Sequence, residues 1–497
     1  MKRLKRRKFI KNSLITGIGV SLVPLDTISK KGLYATQNLS SSKAKRKKVI
    51  VAGAGITGLC CAFELMKKGH EVVVLEASGR HGGHVFTGRD GLSEGLYADF
   101  GADHITKPGY ERFFEYAREF KLPVLPYPHA EGSMAAPGRF GLRMIAGKFY
   151  TDEMLSEPKI LHELGFNKRE IKFLSKNPWY NLKLFFLVSY LDNFKDPYQP
   201  FGVGYDELDN IPLSDIYKKE GASDAALRYL GGTNTSALYG LWRLSVERSR
   251  GIPPSQGDTY RLQGGNQELP TAFARKLGDR IKLDHPIKSI KHGENGVVVS
   301  YSAYGYKGEM EMKADFLVNC ISLPVFRNIP VIPVLSPEKQ YVVDNLTYSS
   351  HPFYVFEASS RFWLEDGLKS INIEFEHPDI SMIWEETNNV DTDRIILKAY
   401  GPGGLSPQRV LAAFRKLYPG KSDTIYQALT LDWTKDKFAP TCEMDSFPIG
   451  EMHRFWPQIM KAEGRIYFAG TYADNLSRGM ESCLRSAQRV SKEIDEI

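Results

Sequence analysis

The 497-residue chain has five cysteines, and no two of them stand at metal-site spacing. Cys60, Cys61, Cys320, Cys442 and Cys483 are scattered and odd in number, so neither a disulfide framework nor a thiolate metal centre is expected. There is no H-E-x-x-H pair, no P-loop lysine motif, and no serine placed at a strand-to-helix elbow, which leaves hydrolase and kinase chemistry without support. Basic charge is also scarce outside one end. The whole chain carries +8, but residues 1–48 hold fourteen Lys or Arg against the single acid Asp26. Taking that +13 from +8 leaves the remainder at −5, so no nucleic-acid-binding surface is expected. What is abundant is apolar matter: 42% hydrophobic residues with 12% aromatics, enough for large buried surfaces and, at this length, two domains.

The basic end reads as an address. Lys2 to Lys11 precede a modestly apolar run from Leu14 to Leu25, which contains Gly17 and Gly19 and is too short to span a bilayer. Arg6-Arg7-Lys8-Phe9-Ile10-Lys11 resembles the bacterial twin-arginine export signal, with Lys5 where Ser or Thr is customary. The resemblance implies the twin-arginine export machinery as a partner and a periplasmic or secreted destination. With no clear A-x-A cleavage site, a retained membrane tether stays open. Residues 1–35 are read as the signal segment and 36–47, with Ser40 to Ser42 and the cluster Lys43 to Lys48, as a solvated linker.

A dinucleotide unit follows. Lys48 to Ala52 is a short β-branched strand, Gly53, Gly55 and Gly58 stand in G-x-G-x-x-G spacing, and a helix runs on to about Lys67. Glu71 to Leu75 is the next strand, and Glu76 closes it eighteen residues after Gly58. Gly53 makes the tight turn, Gly55 lets the backbone approach a pyrophosphate, and Gly58 allows close helix–strand packing. The first helical turn, with Ile56 and Thr57, presents free N–H groups to phosphate, and Glu76 can accept from ribose hydroxyls.

Ala77-Ser78-Gly79-Arg80-His81-Gly82-Gly83-His84 and Gly101-Ala102-Asp103-His104 come next in the chain, and near its end stand Gly470-Thr471 and Gly479-Met480-Glu481-Ser482. Together these segments resemble the signatures of the flavin amine oxidases, with the spacing of L-amino acid oxidases. The resemblance implies bound FAD. On it, Glu76, Ala77, Gly83, His84, Gly101, Ala102, Asp103 and His104 contact the cofactor, Ile287 packs on adenine, and the helix opening at Gly479 faces the pyrimidine edge of the flavin. Covalent members carry a Cys in the closing turn, where Tyr472 and Ala473 stand here, so non-covalent FAD is expected. The fold expected is α/β: a discontinuous Rossmann-like FAD-binding domain (48–106, 246–325, 441–497) with a mixed-sheet and helical substrate domain (107–245, 326–440). Residues 107–245 read as largely helical; strands are expected at Phe353–Ser359, Ile371–Phe375, Ser381–Trp384 and Arg394–Tyr400.

The chain departs from the family pattern where chemistry is done. His84 replaces an Arg, making pH-dependent binding an expectation. Phe353 stands where many members have a Lys near flavin N5, with His351 two residues away. His104 replaces the Arg that clamps a substrate carboxylate, and Gly479 the Tyr of a monoamine oxidase cage. Trp384 is a candidate aromatic wall. The function implied is hydride removal from a C–H beside an amine nitrogen of a small-molecule substrate, with His104, Trp384 and Phe353 at the reacting end. An FAD-dependent dehydrogenase or desaturase on a non-amine substrate, and a catalytically silent flavoprotein, remain as alternatives, and homodimer formation is left open.

Overall fold

Val49, Ile50 and Val51 of strand β1 (Lys48–Ala52) have no exposure, as expected of β-branched residues in a strand covered on both faces. β1 pairs in parallel with β2 (Glu71–Leu75), and the helix between them, α1 (Ile56–Lys67), completes the βαβ unit. The structure, a computed structural model, describes residues 46–497 apart from 94, 128–140, 255–256, 350–351, 369, 387–389, 391, 419, 442 and 477–478. The signal segment, most of the linker, His351 and Cys442 therefore lie outside the described residues.

The parallel sheet is recruited from distant parts of the chain. β5 (Ile281–Lys282), β6 (Phe316–Asn319) and β12 (Ile466–Phe468) join it in the order β5-β2-β1-β6-β12. α1 is buried almost all round because it packs on α4 (Glu268–Leu277) and α5 (Gly479–Asp495), the latter an amphipathic helix burying Met480, Leu484, Ala487 and Val490.

A seven-stranded sheet forms the other layer, in the order β11-β7-β10-β9-β8-β3-β4. Its central strands are β7 (Phe353–Ala358), β8 (Asn372–Glu374), β9 (Met382–Glu386) and β10 (Ile395–Tyr400), within about two residues of where the sequence puts them. β11 (Ile425–Thr430) flanks β7. At the far edge stands a hairpin the sequence reading missed, β3 (Leu142–Ile145) and β4 (Lys148–Tyr150), inside the stretch read as largely helical. Ala146 and Gly147 both take positive φ, the two-residue turn that a hairpin favours. The rest of that stretch is mostly short helices from Pro158 onward, ending in α3 (Ala237–Ser249), around a core that includes Trp179, Phe186 and Trp242.

The architecture is α/β: a Rossmann-like parallel sheet assembled discontinuously, beside a mixed sheet and a helical layer.

Candidate active site

A cavity of about 1500 Å³ opens where the β1–α1 turn, the start of α5 and the inner ends of β7 and β10 converge. Gly53, Gly55, Ile56, Thr57, Glu76, Ala77, Gly83 and His84 line one part of it. α1 starts at Gly55 with no side-chain cap and no acid in its first turn, so its leading N–H groups are free for an anion. A Cβ on Gly55 would meet nothing within 4 Å, and would project into open space beside the turn. Gly58 does not line the cavity. A Cβ there would sit 1.9 Å from the Gly53 carbonyl oxygen, so its task is close packing of α1 under the turn. Glu76 locks the turn: one carboxylate oxygen accepts from Ala54 N–H at 2.6 Å, the other from the Ser78 amide at 2.8 Å and hydroxyl at 2.7 Å.

His84 differs from expectation. Burial, reinforced by the nearby Arg80 guanidinium, pushes its ring down to about 4, so it is uncharged at neutral pH. It lies against Trp433 with centroids 4.2 Å apart. The cation at this end is Arg80, to which the glycine motif around it assigns no role. Arg80 lines the cavity, lies over Phe86 and Trp433, and keeps a buried Nη1 without a hydrogen-bond partner among the described residues.

Gly101, Ala102, Asp103, His104, Ile287, Gly470, Thr471, Gly479 and Met480 also line the cavity. Gly479 has φ +41, and a Cβ on it would lie 2.8 Å from the Tyr110 hydroxyl, so the cage tyrosine of monoamine oxidases has no room here. Glu481 and Ser482 stand behind the lining, fully buried. The Glu481 carboxylate accepts from the amides of Arg112 and Phe113 at 3.0–3.1 Å, holding the start of α2 (Glu111–Glu119) rather than the cavity.

Phe353 and Tyr400 form an aromatic wall, their rings 4.7 Å apart. Trp384, expected in that wall, lies behind it, 5.9 Å from Phe353 and 5.3 Å from His104. Beneath is a buried charge cluster that the sequence reading missed. Lys398 Nζ, 3.7 Å from the centre of the Phe353 ring, donates to Asp103 at 2.7 Å and to the Asp99 carbonyl at 2.6 Å. Arg261 pairs with Asp99 at 2.8 Å and Glu386 at 2.5 Å, and Tyr127 donates to Asp103 at 2.5 Å. Burial alone would raise the Asp103 carboxyl, but Lys398, His104 and Tyr127 hold it below the ordinary carboxylate range. Burial raises Glu386 to about 7 despite Arg261 and Lys398. The signal was a lone Lys in the otherwise apolar strand Ile395–Tyr400.

Residues 56–495 match the family model for flavin containing amine oxidoreductases. The chain belongs to that family. It is 26% identical over 491 residues to an L-amino-acid oxidase of the viper Vipera ammodytes ammodytes, covering 94% of this chain and 95% of the relative. It is 24% identical to an L-amino-acid oxidase of Bothrops moojeni, with 94% and 92% covered. Among solved structures, wild-type putrescine oxidase bound to putrescine superposes with a TM-score of 0.75 at 18% identity, covering 91% of this chain and 99% of that one. Cyclohexylamine oxidase from Brevibacterium oxydans gives 0.71 at 20%, with the same coverage. As a member of this family the protein is an FAD-dependent oxidoreductase. The residues fit that cofactor: open space at Gly55, uncapped N–H groups at α1 and an unpartnered Arg80 nitrogen suit a diphosphate, and a continuous cavity leads to Thr471 and Met480.

Proposed function

We propose that the protein is an exported oxidoreductase that removes a hydride from the C–H beside an amine nitrogen, using non-covalent FAD. The observation that carries this is one cavity shared by the phosphate-binding turn (Gly55, Glu76, Arg80) and the wall formed by His104, Phe353 and Tyr400. FAD, when bound, would accept the hydride of the neutral amine, leaving an iminium that takes up water, with hydrogen peroxide formed where oxygen is the final acceptor. The chain supplies the rest. α1 and Arg80 would hold the diphosphate and Glu76 the ribose, and the start of α5, which lines the same cavity at Gly479 and Met480, would stabilise negative charge on the bound group. Phe353 and Tyr400 keep the reacting carbon away from water.

A second acceptor is favoured by one feature. Phe353 occupies the place of the family lysine, and Lys398 behind it is committed to Asp99 and Asp103. Reoxidation by oxygen is therefore slow, and a quinone or protein acceptor carries the turnover. The test is anaerobic reduction of the yellow protein by amines and amino acids, followed by air: bleaching with recovery over minutes is expected, and recovery within mixing refutes the acceptor argument. Non-covalent binding is tested by denaturation, which should release all flavin. Flavin left on the chain would contradict it and would make the cavity-lining Cys320 and Cys483 the thiols to replace. Export rests on Arg6-Arg7, and replacing both with Lys should retain the protein in the cytoplasm.

A further inference from the structure

We infer that the wall formed by Asp103, His104, Phe353 and Tyr400 receives the ammonium of an amine that carries no carboxylate on the reacting carbon. This rests on the amine-oxidising function proposed above and narrows its substrate class, although the chain is also similar to L-amino-acid oxidases.

The first argument is charge. Three acids bring carboxylate oxygens within 4.8 Å of one another: Asp103 of the wall, and Asp99 and Glu386 behind it. Two cations, Arg261 and Lys398, answer them, and both are fully buried and already paired. The cluster is therefore net −1 with Glu386 ionised and neutral with it protonated. No guanidinium of the cluster is left to fork a carboxylate, and one brought beside Asp103 meets like charge at low dielectric. An ammonium meets the opposite sign while Glu386 is ionised.

The second argument is the hydrogen-bonding sense of His104. Its Nδ1 lies 3.7 Å from Asp103 Oδ2, and its buried Nε2 has no partner among the described residues. Burial favours the neutral ring more than Asp103 opposes it. A neutral imidazole whose N–H turns toward Asp103 keeps Nε2 as an acceptor. That atom complements an N–H donor and can take one ammonium proton, freeing the nitrogen lone pair that hydride loss requires, whereas the arginine of amino-acid oxidases at this place offers only donors. The aromatic lining points the same way: the rings of Phe353, which already seats Lys398 on one face, and Tyr400 offer no favourable face to an anion.

The test uses the FAD-loaded protein and matched pairs that differ only in the carboxylate: phenethylamine against L-phenylalanine, and 3-methylbutylamine against L-leucine. Anaerobic bleaching rates per unit concentration should favour the amine by about tenfold or more, the scale of one lost charge-assisted contact. Equal or better reduction by the amino acid overturns the inference. If neither bleaches the flavin, the oxidation reading falls. Perturbation of the flavin spectrum on titration then still decides: tighter binding of the amine supports the inference, while tighter binding of the amino acid, or of neither, overturns it. In His104→Arg the amine-to-amino-acid ratio should drop by about tenfold; an FAD-retaining variant with an unchanged ratio also overturns it. Should that variant lose FAD, His104→Asn, which keeps a neutral side chain, must preserve the amine preference.

Discussion

Gly55 and His84 both line the cofactor end of the cavity and make opposite demands on a test. At Gly55 a side chain would enter the space where the diphosphate approaches α1. Gly55→Val should therefore fold, since nothing else is struck, and purify colourless; a variant with normal flavin absorbance would refute the turn assignment. At His84 the sequence suggests a titratable neighbour of the cofactor, but burial holds the ring near 4. FAD retention should accordingly be flat between about pH 6 and 8, read as flavin released on gel filtration. Release that tracks a histidine titration would contradict it. Lys398 is the third decisive residue. Lys398→Met leaves Asp103 buried with its cation gone, a loss of about 3–5 kcal/mol for a broken buried pair. Denaturant unfolding with bound FAD should show it, whereas a cost near zero would mean that the pair is not as dry as its burial indicates.

Among the elements, α5 does two jobs: Met480 faces the cavity while Glu481, one residue on, turns away to cap α2. Burial pushes the Glu481 carboxyl from 4.5 up to about 7 despite the amides of Arg112 and Phe113. The fold favours the protonated form, so this contribution to stability is complete below about pH 4.5 and is lost as the pH climbs toward 7. Glu386 acts in the same direction. Thermal melting should fall over that window, and Glu481→Gln, which keeps an acceptor for the two amides, should flatten part of the fall. An unchanged slope would contradict the assignment. The α2 cap could not be read from sequence, because its partner lies about 370 residues away. The β1–α1–β2 unit was legible for the converse reason: its strand, turn, helix and acid are local.

For the whole molecule, legibility followed whether a residue's task is local. The glycine turn and the central strands β7 to β10 were readable because backbone geometry and alternation constrain them directly. The β3–β4 hairpin was not, because four residues of Leu-Arg-Met-Ile carry no alternation, and only the Ala146-Gly147 turn marked it. The Asp99, Asp103, Arg261, Glu386 and Lys398 cluster was invisible for a deeper reason. Five charges drawn from separate elements become one object only when folding takes them all out of water.

The central claim is that these two halves serve one reaction, hydride removal beside an amine nitrogen. Anaerobic single-turnover product analysis tests it most directly. The FAD-loaded protein mixed with one equivalent of phenethylamine should lose its flavin colour and release one equivalent each of ammonia and the aldehyde. Flavin that stays oxidised with every amine, or that bleaches without releasing ammonia, would contradict the account.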